Sequence, residues 1–124
     1  MKLEQQVCSL ELAKRLRELE VKQESLFWWH DGCSALVKPH VKRQNDYCVG
    51  TQNGSVSAFT VAELGEMLPI EYISQRRPYG SIGANEYRWL TGKYDDDYVI
   101  SASTEADARA KMLIYLLEKK LITV

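Results

Sequence analysis

The chain predicts an α+β fold: an antiparallel β-sheet with three helices packed mainly on one face, in one domain spanning residues 1–124. Three observations lead there. Apolar residues recur at helical spacing in three separated stretches. β-prone runs bounded by Asp-Gly, Asn-Gly and other glycine turns fill the intervals. The order of elements is helix, hairpin, helix, three strands, helix, which groups strands together and favours antiparallel pairing with helices on one side.

The first helix is "SLELAKRLRELE" (9–20). Leu12, Leu16 and Leu19 fall at i, i+4 and i+7 with Ala13 beside them, so one stripe is apolar. Lys14, Arg15, Arg17 and Glu18 lie off that stripe and are expected in solvent. Ser9 is expected to cap the helix, since a serine oxygen can accept from the free N–H groups of the first turn.

"SLFWWH" (25–30) and "CSALVK" (33–38) flank Asp31-Gly32. An Asp-Gly pair suits the two positive φ angles of a type I′ turn, so a hairpin is expected. Its register sets His30 opposite Cys33, Trp28 opposite Ala35 and Leu26 opposite Val37. Phe27 and Trp29 then share the other face with Leu36 and Ser34. With aromatic groups on both faces, the sheet is either covered twice or meets a partner. Phe27, Trp29 and Leu36 are the candidate interface residues.

From Pro39 the chain turns polar and basic, "PHVKRQND", and a loop is expected. In "YCVGTQNGSVSAF" Asn53-Gly54 offers a second hairpin turn. "FTVAELGEMLP" carries a full set of helix signals. Thr60 is the N-cap, Glu63 completes a capping box, Phe59 and Leu64 form a hydrophobic staple, and Pro69 stops the helix. "IEYIS" (70–74) reads as a strand, "QRRPYGSIGA" as a loop, and "NEYRWLT" (85–91) and "DYVISAS" (97–103) as strands joined through Gly92. The last helix begins at the Thr104 cap, with Glu105 and Asp107 in its first turn and Lys119 and Lys120 near its end, as the helix dipole favours. Its stripe is Ala106, Ala110, Leu113, Leu117 and Leu121, widened by Met112, Ile114 and Leu116.

At 124 residues, 45% apolar and 27% charged, the chain can bury a core unaided. A net charge of −1 argues against a dedicated nucleic-acid binder. The N-terminus lacks the apolar core of a secretory leader, and no run approaches the roughly 20 apolar residues that span a bilayer. Three cysteines, Cys8, Cys33 and Cys48, fit free thiols in a reducing compartment, so the expected location is the cytoplasm.

His30, Cys33, His40 and Cys48 offer zinc ligand types, but the His-x2-Cys spacing is already explained by the Asp-Gly turn. A His30–Cys33 hydrolase lacks a third orienting group. "YGSIGA" lacks the Lys-Ser or Lys-Thr of a phosphate loop and precedes a strand. Three aspartates at 95–97 lack the alternating oxygens of a calcium loop. No catalytic, cofactor or metal residue is therefore assigned, and the expectation is a non-enzymatic protein without cofactor. Lys38, His40, Lys42 and Arg43 form one basic loop and Arg76 with Arg77 another, the candidate contacts for nucleic acid.

Three segments, "CSLELAKRLRELEVKQESLFWW" (8–29), "SAFTVAELGEMLP" (57–69) and "EADARAKMLIYLLEKKLI" (105–122), resemble a group of small proteins encoded by bacteriophages and prophages. They cover somewhat under half of the chain. Where the resemblance leads one to expect a helix-ending glycine, this sequence has Glu20, so the first helix is expected to run on or to end less sharply. The resemblance implies a phage-type origin and a bacterial cytoplasm, with no established activity. The functional expectation is an accessory protein that binds a protein partner or itself, as a dimer. The alternatives are a nucleic-acid-associated protein using the two basic loops and a small Cys/His metal protein or hydrolase.

Overall fold

The structure is a computed structural model and describes residues 2–30, 39–41, 55–79, 86–93 and 99–123. The helices are α1 (Leu3–Gln6), α2 (Leu10–Glu18), α3 (Val61–Met67) and α4 (Glu105–Glu118). The strands are β1 (Phe27–His30), β2 (Pro39–Val41), β3 (Ser55–Ala58), β4 (Tyr72–Tyr79), β5 (Glu86–Lys93) and β6 (Val99–Ala102). The class is α+β, as expected, but the described strands divide into two antiparallel sheets, ordered β2-β1-β3 and β4-β5-β6. The four-residue α1 lacks the apolar repeat by which the longer helices were found.

The helices form where local chemistry favours them. In α3 the capping box is complete: Glu63 N–H donates to Thr60 Oγ1 at 3.3 Å, and Thr60 N–H donates to Glu63 Oε1 at 3.0 Å. Phe59 and Leu64 of the staple are both buried. In α4, Thr104 Oγ1 accepts from Asp107 N–H. Ser9 behaves differently. Its hydroxyl makes no cap bond, and its backbone N–H donates to Asp107 Oδ1 at 2.8 Å. A carboxylate on α4 thus ties down the start of α2, a partner that sequence separation hides.

Both longer helices end sharply without glycine. Glu20 and Lys120 adopt φ of 66° and 56°. After α2, Glu20 N–H donates to Arg17 O and Val21 N–H to Leu16 O; after α4, Lys120 N–H donates to Leu117 O and Leu121 N–H to Leu116 O. Each is a Schellman ending. The expectation that Glu20 would blunt the end of the first helix is therefore corrected. Burial of Val21 with Leu16 holds the left-handed turn that a glycine would enter freely.

One core joins both sheets. Leu16 and Ala13 of α2, Trp29 of β1, Val56 and Ala58 of β3, Leu64 of α3 and the Ala106–Leu116 face of α4 are buried together. α2 packs against β3 and α4, α3 packs against α4, and α4 packs on all three strands of the second sheet. Fully burying one such aliphatic or aromatic side chain contributes about 1.5–3 kcal/mol. Leu121, expected on the α4 stripe, is 63% exposed because the helix has ended before it.

The strand pairing corrects three further expectations. β1 uses both edges: Trp28 stands opposite His40 on β2 and opposite Ser57 on β3. Trp28 is thus paired on both edges by residues other than the expected Ala35, which lies outside the described residues. Residues 31–38, including Asp31-Gly32, lie outside the described residues. Pro39 opens an edge strand instead of a loop, a position where its missing N–H costs no ladder bond. "QRRPY" likewise continues β4, also an edge strand, so Arg76, Arg77 and Pro78 are on a strand.

Candidate functional site

The expected interface turns inward. Trp29 is buried, and its Nε1–H donates to the Cys8 carbonyl at 2.8 Å. Phe27 is half-buried against the same core. Trp28 on the opposite face is buried too, beside buried Ser57. An aromatic strand between two neighbours is a core strand here, and burial withdraws Trp29 from any docking surface. Leu36, Lys38, Lys42, Arg43, Cys33, Cys48, residues 81–84 and Asp95–Asp97 lie outside the described residues, as do the side chains of His30 and His40. Among the described residues no group of three or more His, Cys, Asp or Glu is placed to hold a metal ion.

Arg76 and Arg77 do not form one basic loop. Successive strand residues point to opposite faces, and the two guanidiniums line different surfaces of the second sheet. Arg77 shares the outer face with Ile73, Gln75, Leu90, Gly92 and Val99. The register sets Ile73, Gly92 and Val99 in one row across β4, β5 and β6, with Gln75, Leu90 and Ser101 in the next. Ile73 is 43% and Val99 51% exposed. Gly92 between them has no side chain, so the row opens into a shallow hollow of about 260 Å³. Arg77 and Arg88 are cross-strand partners at one side. Among the described side chains of these strands on this face, none is acidic.

The inner face is different. Tyr72 and Ile100 pack against the core, and Thr91 is fully buried with Oγ1 3.0 Å from Ser74 Oγ. Beyond this pair Arg76 and Trp89 stand directly opposite each other in the register. They line a groove of about 500 Å³ with residues from α1, the start of α3 and the start of α4.

One side chain fixes three walls of that groove. The Arg109 guanidinium donates through Nε to Ser74 Oγ at 2.9 Å, through Nη1 to the Val61 carbonyl at 2.9 Å and through Nη2 to Glu105 Oε1 at 3.1 Å. β4, α3 and α4 are thereby held by one planar cation whose fork geometry matches separate acceptors. No motif in the sequence marks Arg109, because its partners lie on three elements. The outer row was missed for a simpler reason. The strand reading stopped at Ser74, before the alternation of β4 was complete.

Cys8 is the described thiol, and it is not poised for chemistry. It is fully buried, its N–H donates to Phe59 O at 2.9 Å, and burial pushes its pKa up from 9.0 to about 12. A thiol held in its neutral form is a poor nucleophile.

No helix among the described residues is long and apolar enough to cross a membrane. Comparison with protein families, with curated proteins and with solved structures finds no match to this chain.

Proposed function

We propose that this protein is a non-enzymatic, phage-type accessory protein that binds another protein through the outer face of β4-β5-β6. The observation that carries this reading is the pair of exposed side chains Ile73 and Val99, which flank the buried, side-chain-free Gly92 on the face of the second sheet away from α4. Such a hollow accepts one apolar side chain from a partner, and the exposed Arg77 that lines it favours acidic groups around that side chain. A second copy laid face to face would bring two Arg77 guanidiniums to one apolar patch. Charge complementarity therefore favours a different protein with an acidic rim over self-association. The phage-type origin rests on the resemblance of residues 8–29, 57–69 and 105–122, and it directs the search to a bacterial host. Among the described residues, the split of Arg76 from Arg77 removes the basic loop on which a nucleic-acid reading relied.

The test has two steps. Native mass spectrometry first counts subunits; a monomer is expected, and a dimer abolished by Val99→Glu would replace the foreign partner with a second copy. A host protein retained by the wild type is then identified, purified and titrated against wild type, Ile73→Glu and Val99→Glu, each checked for an unchanged melting curve. The expected result is a one-to-one complex weakened at least tenfold by either substitution and by added salt. A complex indifferent to both substitutions overturns the reading.

A further inference from the structure

We infer that the groove between α1, the start of α3, the start of α4 and the inner face of β4-β5 binds a neutral saccharide, with a pyranose ring laid on the Trp89 indole. The groove lies on the opposite side of the second sheet from the proposed protein-binding face, so the two inferences stand apart. At about 500 Å³ its volume falls within the range of small-molecule sites. Trp89 is the residue that points to a ligand. Strand alternation puts it on the inner face with Tyr72 and Ile100. Those two pack against the hydrophobic core, whereas the half-buried Trp89 indole lines the groove. A large ring held at a groove wall is a platform for a flat ligand surface.

The polar groups in the lining select the chemistry. Ser103 is exposed, and its hydroxyl both donates and accepts. Thr104 Oγ1 accepts from Asp107 N–H and keeps its own proton to donate. Gln5 Oε1 accepts from Lys2 N–H at 3.1 Å, which leaves the amide NH2 of Gln5 to donate. The acid of the lining, Glu105, is engaged by Arg109 at 3.1 Å. A neutral ligand draws on no charge from Arg76. Hydroxyl groups donate and accept, so a polyhydroxylated ring matches these neutral partners, while the C–H bonds on one face of a pyranose meet the electron-rich face of the indole. The Arg109 bonds to Ser74, Val61 and Glu105 hold the walls before any ligand arrives. Binding therefore orders few groups, and preorganisation of this kind raises affinity.

Titration of the full chain, followed by heteronuclear NMR of the indole N–H signals, tests this. The probes are glucose, galactose, mannose and N-acetylglucosamine as single rings, and maltose and cellobiose as short chains. Sorbitol supplies hydroxyls without a ring, and cyclohexanol supplies a ring with a single hydroxyl. The expected result is saturable one-to-one binding of at least one saccharide in the millimolar range or tighter, at least tenfold tighter than sorbitol or cyclohexanol. The Trp89 indole signal should shift with occupancy while that of buried Trp29 stays in place. Trp89→Leu should weaken binding at least tenfold, and Gln5→Ala and Ser103→Ala at least threefold each. Gln5 and Ser103 are exposed, so their variants remain informative if Trp89→Leu fails to fold. Preference for the disaccharides identifies a glycan chain as the source, and preference for the single rings identifies a free sugar. No saturation by any saccharide at millimolar concentration overturns the inference. So does a Trp89 signal that stays in place, or sorbitol binding as tightly as the saccharides.

Discussion

The guanidinium of Arg109 fills the space that a side chain on Gly65 would occupy. α3 approaches α4 closely enough for Arg109 Nη1 to reach the Val61 carbonyl only because position 65 carries no Cβ. A helix interior ordinarily prefers alanine to glycine by about 1 kcal/mol. Here the preference reverses, since a methyl would displace a guanidinium held by three acceptors. Gly65→Ala should destabilise the protein by about 1–3 kcal/mol, the range for losing charge-assisted bonds. In an Arg109→Ala background the same change should become neutral or stabilising. Urea unfolding of the four-member cycle reads the coupling; additive effects would mean that the two residues do not meet.

Two threonine and serine caps that look alike in sequence should respond differently. Thr60→Ala removes the acceptor of Glu63 N–H and should cost about 1 kcal/mol. Ser9→Ala removes a hydroxyl that makes no cap bond and should cost less than about 0.5 kcal/mol. Asp107→Ala, by contrast, leaves Ser9 N–H without its carboxylate and should cost about 1–3 kcal/mol. Chemical denaturation of the three variants tests the order.

Glu20→Gly and Lys120→Gly should each stabilise the fold by up to about 1 kcal/mol. Both positions hold left-handed backbone that an L side chain enters at a cost and glycine does not. Part of the gain is lost to the freer unfolded chain. The sites end different helices, so the gains should add, and thermal melts of the single and double variants measure this. A destabilised Glu20→Gly would show that its side chain matters more than its φ.

Burial of Cys8 gives a pH signature. Its folded pKa, near 12, lies above the unfolded value of 9.0. Below pH 9 both states keep the proton and nothing is lost. Between pH 9 and 12 the unfolded thiol ionises while the folded one does not, so this contribution falls by about 1.4 kcal/mol per pH unit. Wild type should therefore lose stability more steeply than Cys8→Ala over that window, as read by denaturation at each pH. At pH 8, peptide-resolved alkylation should modify Cys8 only as fast as the core opens. Rapid labelling in the native state would contradict the burial.

The helices were legible because their signals are local. Leu12, Leu16 and Leu19, the Thr60–Glu63 box and the Thr104 cap each act within a few residues, so spacing alone places them. The second sheet was legible in its strands but not in its faces. Pro78 and the paired arginines concealed the second half of β4, and with it the alternation that puts Arg76 in the groove and Arg77 on the outer row.

The sequence alone thus sufficed for the α+β class and for most boundaries of the three longer helices. It could not select both partners of β1, because turn signals are local preferences while the pairing of β1 with β3 and the burial of Trp29 are non-local. The assembled core also set the use of Asp107 at Ser9, the convergence of three walls on Arg109 and the exposure of Ile73 and Val99. Each depends on which distant surfaces exclude water together, and no window of sequence carries that information.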